Sequence, residues 1–350
     1  MDYRELGSSG IKVSAFGLGV MPFGGQTPEG DAMRQLDLAL DAGITLFDTA
    51  ENYPTPISPQ TQGRSEEILG TWISRRGVRD NVIVATKVAG PGNAAGAMRH
   101  IRGDGRRLDA VNIRQAAEHS LRRLNTDYID LYQVHWSERA ISTLGRSRFS
   151  HLPDGPELVP IEDTLGALDE LVRNGLVRAI GVCNESPWGV MRYIAASREA
   201  GMTRIRSIQN GYNLLDRTFE QGLAEIAIRE RIGLIAYSPL AGGTLTGKYG
   251  SNPAAIAGSR SSQSPGFLAR LTDSKQRAIA AYLQLARDHG LDPVHMALAF
   301  ARQAPFMASV LMAASTAEQL ARNLPAIAVT LPKDLLQAIN AIHDANPNPK

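Results

Sequence analysis

A phenol, an ammonium, a carboxylate and an imidazole can together deliver a proton to a carbonyl oxygen, and Tyr53, Lys87, Asp48 and His135 are such a set. Near neutral pH a tyrosine is a poor proton donor, because its ordinary pKa is about 10. A lysine cation beside it favours the phenolate and lowers that value, while an aspartate keeps the lysine charged. His135 can donate a hydrogen bond that orients and polarises a substrate oxygen. Taken singly, each residue has a plainer reading. Asp48 before Thr49 reads as a turn or helix cap, Lys87 as a solvated strand end, His135 between Val134 and Trp136 as a satisfied core histidine, and Tyr53 as a rim aromatic. Their joint placement favours chemistry, because nearly every short apolar run in the chain ends on a polar residue. Asp48, Lys87 and His135 are followed in this by Asn184, Gln209, Tyr237 with Ser238, and Ser315.

Those runs are the elements that must position the set. After an opening hairpin, YRELGSSGIKVS, turning at Ser9-Gly10, eight strand candidates follow: 16–19, 44–49, 81–87, 128–135, 177–184, 205–210, 232–238 and 308–315. Between them lie stretches of helical period such as DAMRQLDLALDAG, SEEILGTWISRR, NIRQAAEHSLRRLN, IEDTLGALDELVRNG, TFEQGLAEIAIRERIG and TAEQLARNLPAI. Strand and helix in alternation imply a parallel sheet with crossover helices, and eight strands imply closure. The expected fold is therefore α/β, a (β/α)8 TIM barrel with an N-terminal β-hairpin and an additional C-terminal helix, residues 1–350 forming a single domain. A doubly wound dinucleotide fold would carry GxGxxG after its first strand, and GLGVMPFGG lacks that spacing. In a barrel the C-terminal strand ends meet at one mouth, so the polar residues converge and the insertions at 54–63, 89–107 and 137–157 become pocket walls or surface loops.

Composition narrows the partners. Thirty-seven Lys and Arg against 35 Asp and Glu leave a net charge of +2, too little to attract nucleic acid or a membrane surface. The single cysteine, Cys183, excludes an intrachain disulfide and a cysteine-based zinc cage and suits a reducing compartment. With no apolar leader and no apolar run near the ~18 residues of a membrane span, a cytoplasmic location is expected. No resident metal is expected, since His135 has no partner ligand at metal-binding spacing.

FDTAENY, ATK and LYQVHW, in this order, resemble the aldo-keto reductases. The resemblance covers nearly the whole chain, taking in GVCNES at 181–186, SIQNGYN at 207–213, AYSPLAGGTLTGKY at 236–249 and AASTAEQLARNL at 313–324. The Pro-rich segment after Tyr53, the NES after the fifth strand and LDPVHMALAFAR look like the Tas-type NADP(H)-dependent branch. The resemblance implies that Asp48, Tyr53, Lys87 and His135 are the catalytic tetrad and that NADPH/NADP+ is the cofactor. It implies that Asn184 and Gln209 hold the nicotinamide carboxamide and that Tyr237 stacks on its ring. Ser238, Pro239, Leu240, Gly242 and Lys248 would line the pyrophosphate, with Gln26 and Asp48 also at the cofactor. Arg260 would meet a 2′-phosphate, and Ser315, Gln319, Arg322 and Asn323 the adenosine end. Cys183 stands where the family usually has serine, Ala313 where glycine is usual, and Arg322 where some branches have glutamate.

The implied activity is reduction of aldehyde or ketone carbonyls to alcohols by hydride transfer, on a small-molecule carbonyl substrate, with no nucleic-acid or membrane partner. The alternative is an NADP(H)-binding redox-sensing or auxiliary subunit with little turnover. Trp136, Tyr212, Trp188 and Phe149 are candidate substrate contacts; the substrate itself and the oligomeric state are not readable from the residues.

Overall fold

The computed structural model describes residues 1–91, 98–141, 158–250, 256–264 and 266–349. The chain opens with a short antiparallel hairpin, β1 (Tyr3–Glu5) and β2 (Lys12–Ser14), paired Tyr3 to Ser14 and Glu5 to Lys12. Eight parallel strands then form the barrel: β3 (Phe16–Gly19), β4 (Leu46–Asp48), β5 (Ile83–Val88), β6 (Ile129–Val134), β7 (Val177–Cys183), β8 (Ile205–Gly211), β9 (Gly233–Tyr237) and β10 (Met307–Met312). Each pairs with the next in sequence, and β10 returns to β3, so the sheet closes without an edge. The expected (β/α)8 barrel, its hairpin and its C-terminal helix are all present.

Around it lie α1 (Glu29–Asp41), α2 (Arg64–Arg76), α3 (Ala110–Leu124), α4 (Ile161–Arg173), α5 (Pro187–Ala200), α6 (Leu223–Arg229), α7 (Arg260–Gln263), α8 (Asp273–Asp288), α9 (Pro293–Gln303), α10 (Ala317–Asn323) and α11 (Lys333–Ala345). Their ends follow local chemistry. The Asp109 carboxylate accepts from the Asn112 N–H to start α3, which stops at Asn125 in the left-handed conformation. Ser186 caps α5 ahead of Pro187, and Gly201, with φ 65°, ends it. TFEQGLAEIAIRERIG is not one helix: Gly222 at φ 96° separates a short turn at Thr218–Glu220 from α6. The apolar runs also extend beyond the paired strands. The 44–49 run pairs only over Leu46–Asp48, and the 308–315 run ends at Met312, three residues before Ser315.

Two apolar layers result. Leu46, Ala85, Leu131, Ala179, Ile235 and Leu311 fill the barrel interior with Leu6, Ile11 and Val13 from the hairpin. Gly7 lies so near the carbonyl oxygens of Arg206 and Arg231 that the hairpin plugs the N-terminal end. The alternate residues, such as Phe47, Val84, Tyr132, Ile180 and Ile208, face outward into the larger core beneath the helices. The helical ring tolerates no extra atom where α2 crosses α3: a Cβ at Gly70 would lie 2.5 Å from the Leu124 carbonyl. Gly70→Ala is expected to lower stability by about 1–3 kcal/mol, read as a shifted urea midpoint at unchanged slope.

Candidate active site

The two-residue strand period that fills the barrel floor also builds its mouth. Asp48 stands two residues beyond Leu46, Lys87 two beyond Ala85, and Gln133 two beyond Leu131, so an apolar layer is followed by a polar one on the same inward face. Register brings the polar residues side by side, Lys87 opposite Gln133 and Cys183 opposite Gln209.

Lys87 is fully buried and donates to Asp48 Oδ2 at 2.6 Å and to the Thr49 carbonyl at 2.7 Å. The other Asp48 oxygen accepts from Gln209 Nε2 at 2.7 Å and, at 3.4 Å, from Gln133 Nε2. Tyr53 comes from the loop after β4. Its ring centre lies 5.1 Å from the Lys87 ammonium, and its hydroxyl lies 3.5 Å from His135 Nε2. Four residues separated by up to 87 positions in sequence thus meet at one rim.

The electrostatics depart from the sequence expectation in one respect. Burial raises the Tyr53 phenol to about 12, and Lys87, though it pulls the other way, does not overcome it. Tyr53 therefore keeps its proton across the neutral range, which is the form a proton donor needs. For Lys87, burial alone would lower the pKa, but Asp48 and then Tyr53 outweigh it and hold the ammonium charged. Burial, with Lys87 adding repulsion, keeps His135 well below its ordinary value and so neutral. The Cys183 thiol is pushed up to about 12 by burial, which leaves it a packed thiol and not a nucleophile at neutral pH.

Sequence reasoning passed over the residues that hold the Tyr53 loop in place. Glu51, buried, accepts from the Ala89 N–H at 2.6 Å and from the two terminal guanidinium nitrogens of Arg102. Arg106 ties the same neighbouring segment through the Gly90, Pro91 and Met98 carbonyls. Asn52 faces His135, its Oδ1 3.0 Å from Nδ1. Glu51 and Asn52 stood inside FDTAENY, but a loop has no periodicity to say which side chains point inward.

The set opens into a cleft of about 840 Å³ whose walls include every cofactor residue expected from the resemblance. At the tetrad end Asn184 Nδ2 donates to the His135 carbonyl at 2.9 Å, and the Tyr237 hydroxyl donates to Asn184 Oδ1 at 2.7 Å. Asn184 and Ser238, at φ 56° and 55°, take the left-handed conformation where their strands end, and so turn the chain along the cleft. Further along, Pro239, Leu240, Gly242 and Lys248 form one wall with Arg260. Gly242, at φ 68°, has no room for a side chain, since a Cβ would meet Phe267 at 2.9 Å. At the far end Gln26 Nε2 donates to Ser315 Oγ at 2.7 Å, Gln319 Oε1 accepts from the Ser315 N–H, and Arg322 and Asn323 complete the lining. Met21, Ala313, Val294 and Leu298 also line it. The position of Met21 and Ala313 just past β3 and β10 was the available signal.

Lys87 does not line the cleft; it lies buried beneath the floor. Two suggested substrate contacts are elsewhere. Tyr212 is buried against Phe300 and Phe306 with its hydroxyl on Glu220, and Trp188 is exposed beneath the Arg139 guanidinium. Trp136 packs on His135 at a tilt, with ring centres 4.6 Å apart, and Phe149 lies outside the described residues, as do 92–97 and 142–157 of the expected loops and residues 251–255 and 265. Among the described residues no group of three or more His, Cys, Asp or Glu could hold a metal ion, and no helix is long and apolar enough to cross a membrane.

Comparison with known proteins agrees with the geometry. Residues 15–344 match the model of the Aldo/keto reductase family. The chain is 46% identical to "Protein tas" of Escherichia coli over 343 residues, which is 98% of each chain. It is 32% identical to "Uncharacterized oxidoreductase YrpG" of Bacillus subtilis over 345 residues, 98% of this chain and 96% of that one. It is also 34% identical to an "Aldo-keto reductase" of Babesia bovis over 278 residues, 75% of this chain and 95% of that one. A family match from the first barrel strand to the last helix, over a polar cluster seated at the barrel mouth, leaves one conclusion: the chain belongs to the aldo/keto reductase family.

Proposed function

We propose that this oxidoreductase uses NADPH to reduce an aldehyde or ketone to an alcohol, with Tyr53 as the proton donor. The observation that carries the reading is the placement of a protonated phenol at the cleft floor, beside a buried Lys87–Asp48 pair and a neutral imidazole. The cleft residues fit a dinucleotide. Its wall is extended, glycine-rich at Gly242 and Gly243, and carries Lys248 and Arg260, neither of which has a carboxylate partner among the described residues. Lys248 and the neighbouring backbone would hold the pyrophosphate, and Arg260 would pair with a 2′-phosphate. Bound there, the nicotinamide supplies a hydride to the carbonyl carbon.

The protein's own part is proton handling and positioning. As negative charge grows on the substrate oxygen, the Tyr53 proton moves to it. The Lys87 ammonium stabilises the phenolate left behind, and Asp48, fixed by Gln209, holds Lys87 in place. The direct test is NADPH consumption with a panel of aromatic aldehydes. NADPH binding without turnover on any of them would favour the auxiliary-subunit reading.

Two further outcomes are expected. In the reductive direction kcat should stay level between pH 6 and pH 9. The donor is the protonated phenol, held near pKa 12, and His135 does not ionise in that window. The reverse reaction needs the phenolate, so its rate should rise about ten-fold per pH unit over the same range. A reductive limb falling with a midpoint near 8 would contradict the assignment. Arg260→Ala should weaken NADPH binding by about ten- to a hundred-fold and leave NADH unchanged, the size of a lost charged hydrogen bond. Equal losses for the two cofactors in a fluorescence titration would remove Arg260 from the 2′-phosphate.

A further inference from the structure

We infer that Asn213 is a positioning residue for the cofactor wall: its amide pins the carbonyl of Ser238 and so fixes the corner from which Pro239 and Leu240 run along the cleft. Asn213 Nδ2 donates to the Ser238 carbonyl at 3.0 Å, while its Oδ1 accepts from the Leu215 N–H at 2.9 Å and the Asp216 N–H at 3.0 Å. A carbonyl can only accept and an N–H can only donate, so these three backbone partners leave the amide one orientation. The side chain is buried, at 5% exposure. Its bond spans the ends of two neighbouring strands, from the turn after β8 to the residue after β9.

The corner needs holding from outside. Ser238 stands at φ 55°, in the left-handed region that serine rarely takes, and the proline after it biases it toward extended backbone. It is exposed where it lines the cleft, so burial does not hold it. Its carbonyl also accepts from the Ala241 N–H at 2.9 Å, which closes the turn around Pro239 and Leu240 but ties that turn only to itself. Asn213 ties it to a fixed platform. Tyr212 is buried against Phe300 and Phe306, Leu214 and Leu215 are buried, and the Arg217 N–H donates to Asn348 Oδ1 at 2.7 Å. The amide therefore sets the position of the corner, and the corner sets where the wall between Tyr237 and Lys248 meets a dinucleotide.

The inference rests on the NADPH reading above, and its test separates the two. Asn213→Asp keeps acceptors for the Leu215 and Asp216 N–H groups and turns a carboxylate oxygen to the Ser238 carbonyl. Asn213→Ser keeps a local acceptor for the turn, adds no charge and is too short to reach Ser238. Calorimetric titration with NADPH, and with adenosine 2′-phosphate as a probe of the far end of the cleft alone, reads the consequence. NADPH is expected to bind about ten-fold more weakly to the aspartate variant and about three- to five-fold more weakly to the serine variant, the size of a lost hydrogen bond. Adenosine 2′-phosphate should bind both variants within about two-fold of wild type. Equal weakening of the two probes would mean a general loosening of the barrel mouth and would overturn the inference. So would unchanged NADPH affinity in either folded variant, whatever happens to its urea midpoint, because the bond would then serve stability alone. Wild type that binds no NADPH would remove the cofactor reading and the inference with it, whereas variants that bind NADPH as well as a binding wild type remove the inference alone.

Discussion

Tyr53→Phe is expected to bind NADPH as wild type does and to reduce carbonyl substrates about 10²–10⁴-fold more slowly, the contribution of one well-placed general acid. Phenylalanine keeps the ring that packs 5.5 Å from the His135 ring and loses only the hydroxyl. The bond lost with it is a long one, 3.5 Å to Nε2, so fold stability should change little. Lys87 stays charged, since its close contacts are to Asp48 and the Thr49 carbonyl. The loss should therefore fall on kcat and not on cofactor affinity, the pattern of an interaction made only in the transition state. Cofactor titration by fluorescence and single-turnover rates separate the two. A variant that turns over within two-fold of wild type would remove Tyr53 from the proton transfer and the proposed mechanism with it.

The second large effect is on stability, at Asp48. Both carboxylate oxygens are taken by donors, Oδ2 by Lys87 and Oδ1 by Gln209 and Gln133. Asp48→Asn keeps the size and removes the charge, and its amide must turn an N–H toward one of those donors whichever way it sits. Lys87, fully buried, then has no counter-ion. Breaking a buried pair from one side costs about 3–5 kcal/mol, and chemical denaturation should show it at pH 7. Turnover should fall as well, because an unanchored Lys87 either loses its proton or moves away from the phenol. A denaturation midpoint within error of wild type would mean that the ammonium finds another partner and that Asp48 is not what holds it.

Glu51 and Arg102 show why part of the site was not legible. Arg102 lies in the 89–107 insertion, which read equally well as a pocket wall or a surface loop, and nothing local distinguishes an arginine in solvent from one buried on a carboxylate 51 residues away. The structure makes it a strut, with Glu51 bridging the Tyr53 loop to Ala89 and Arg102. The same limit applied to Tyr212, an aromatic at a strand end and a candidate substrate contact. Its inward or outward direction depended on how β8 gives way to the following loop, and it went into the core beneath the helices.

By itself, the sequence determined the eight-fold alternation of strand and helix, hence a closed parallel barrel, and the polar residue types at the strand ends, hence a polar cluster at one mouth. Those follow from local rules: strand period, helix caps, and the one-sidedness of C-terminal strand ends. Only the tertiary structure decided the protonation states and partners. Burial raised Tyr53 against the pull of Lys87, and Asn52, passed over in the sequence, came to face His135 Nδ1 at 3.0 Å. Desolvation and hydrogen-bond direction are set by every atom packed around a group, most of them distant in the chain, so no local pattern encodes them.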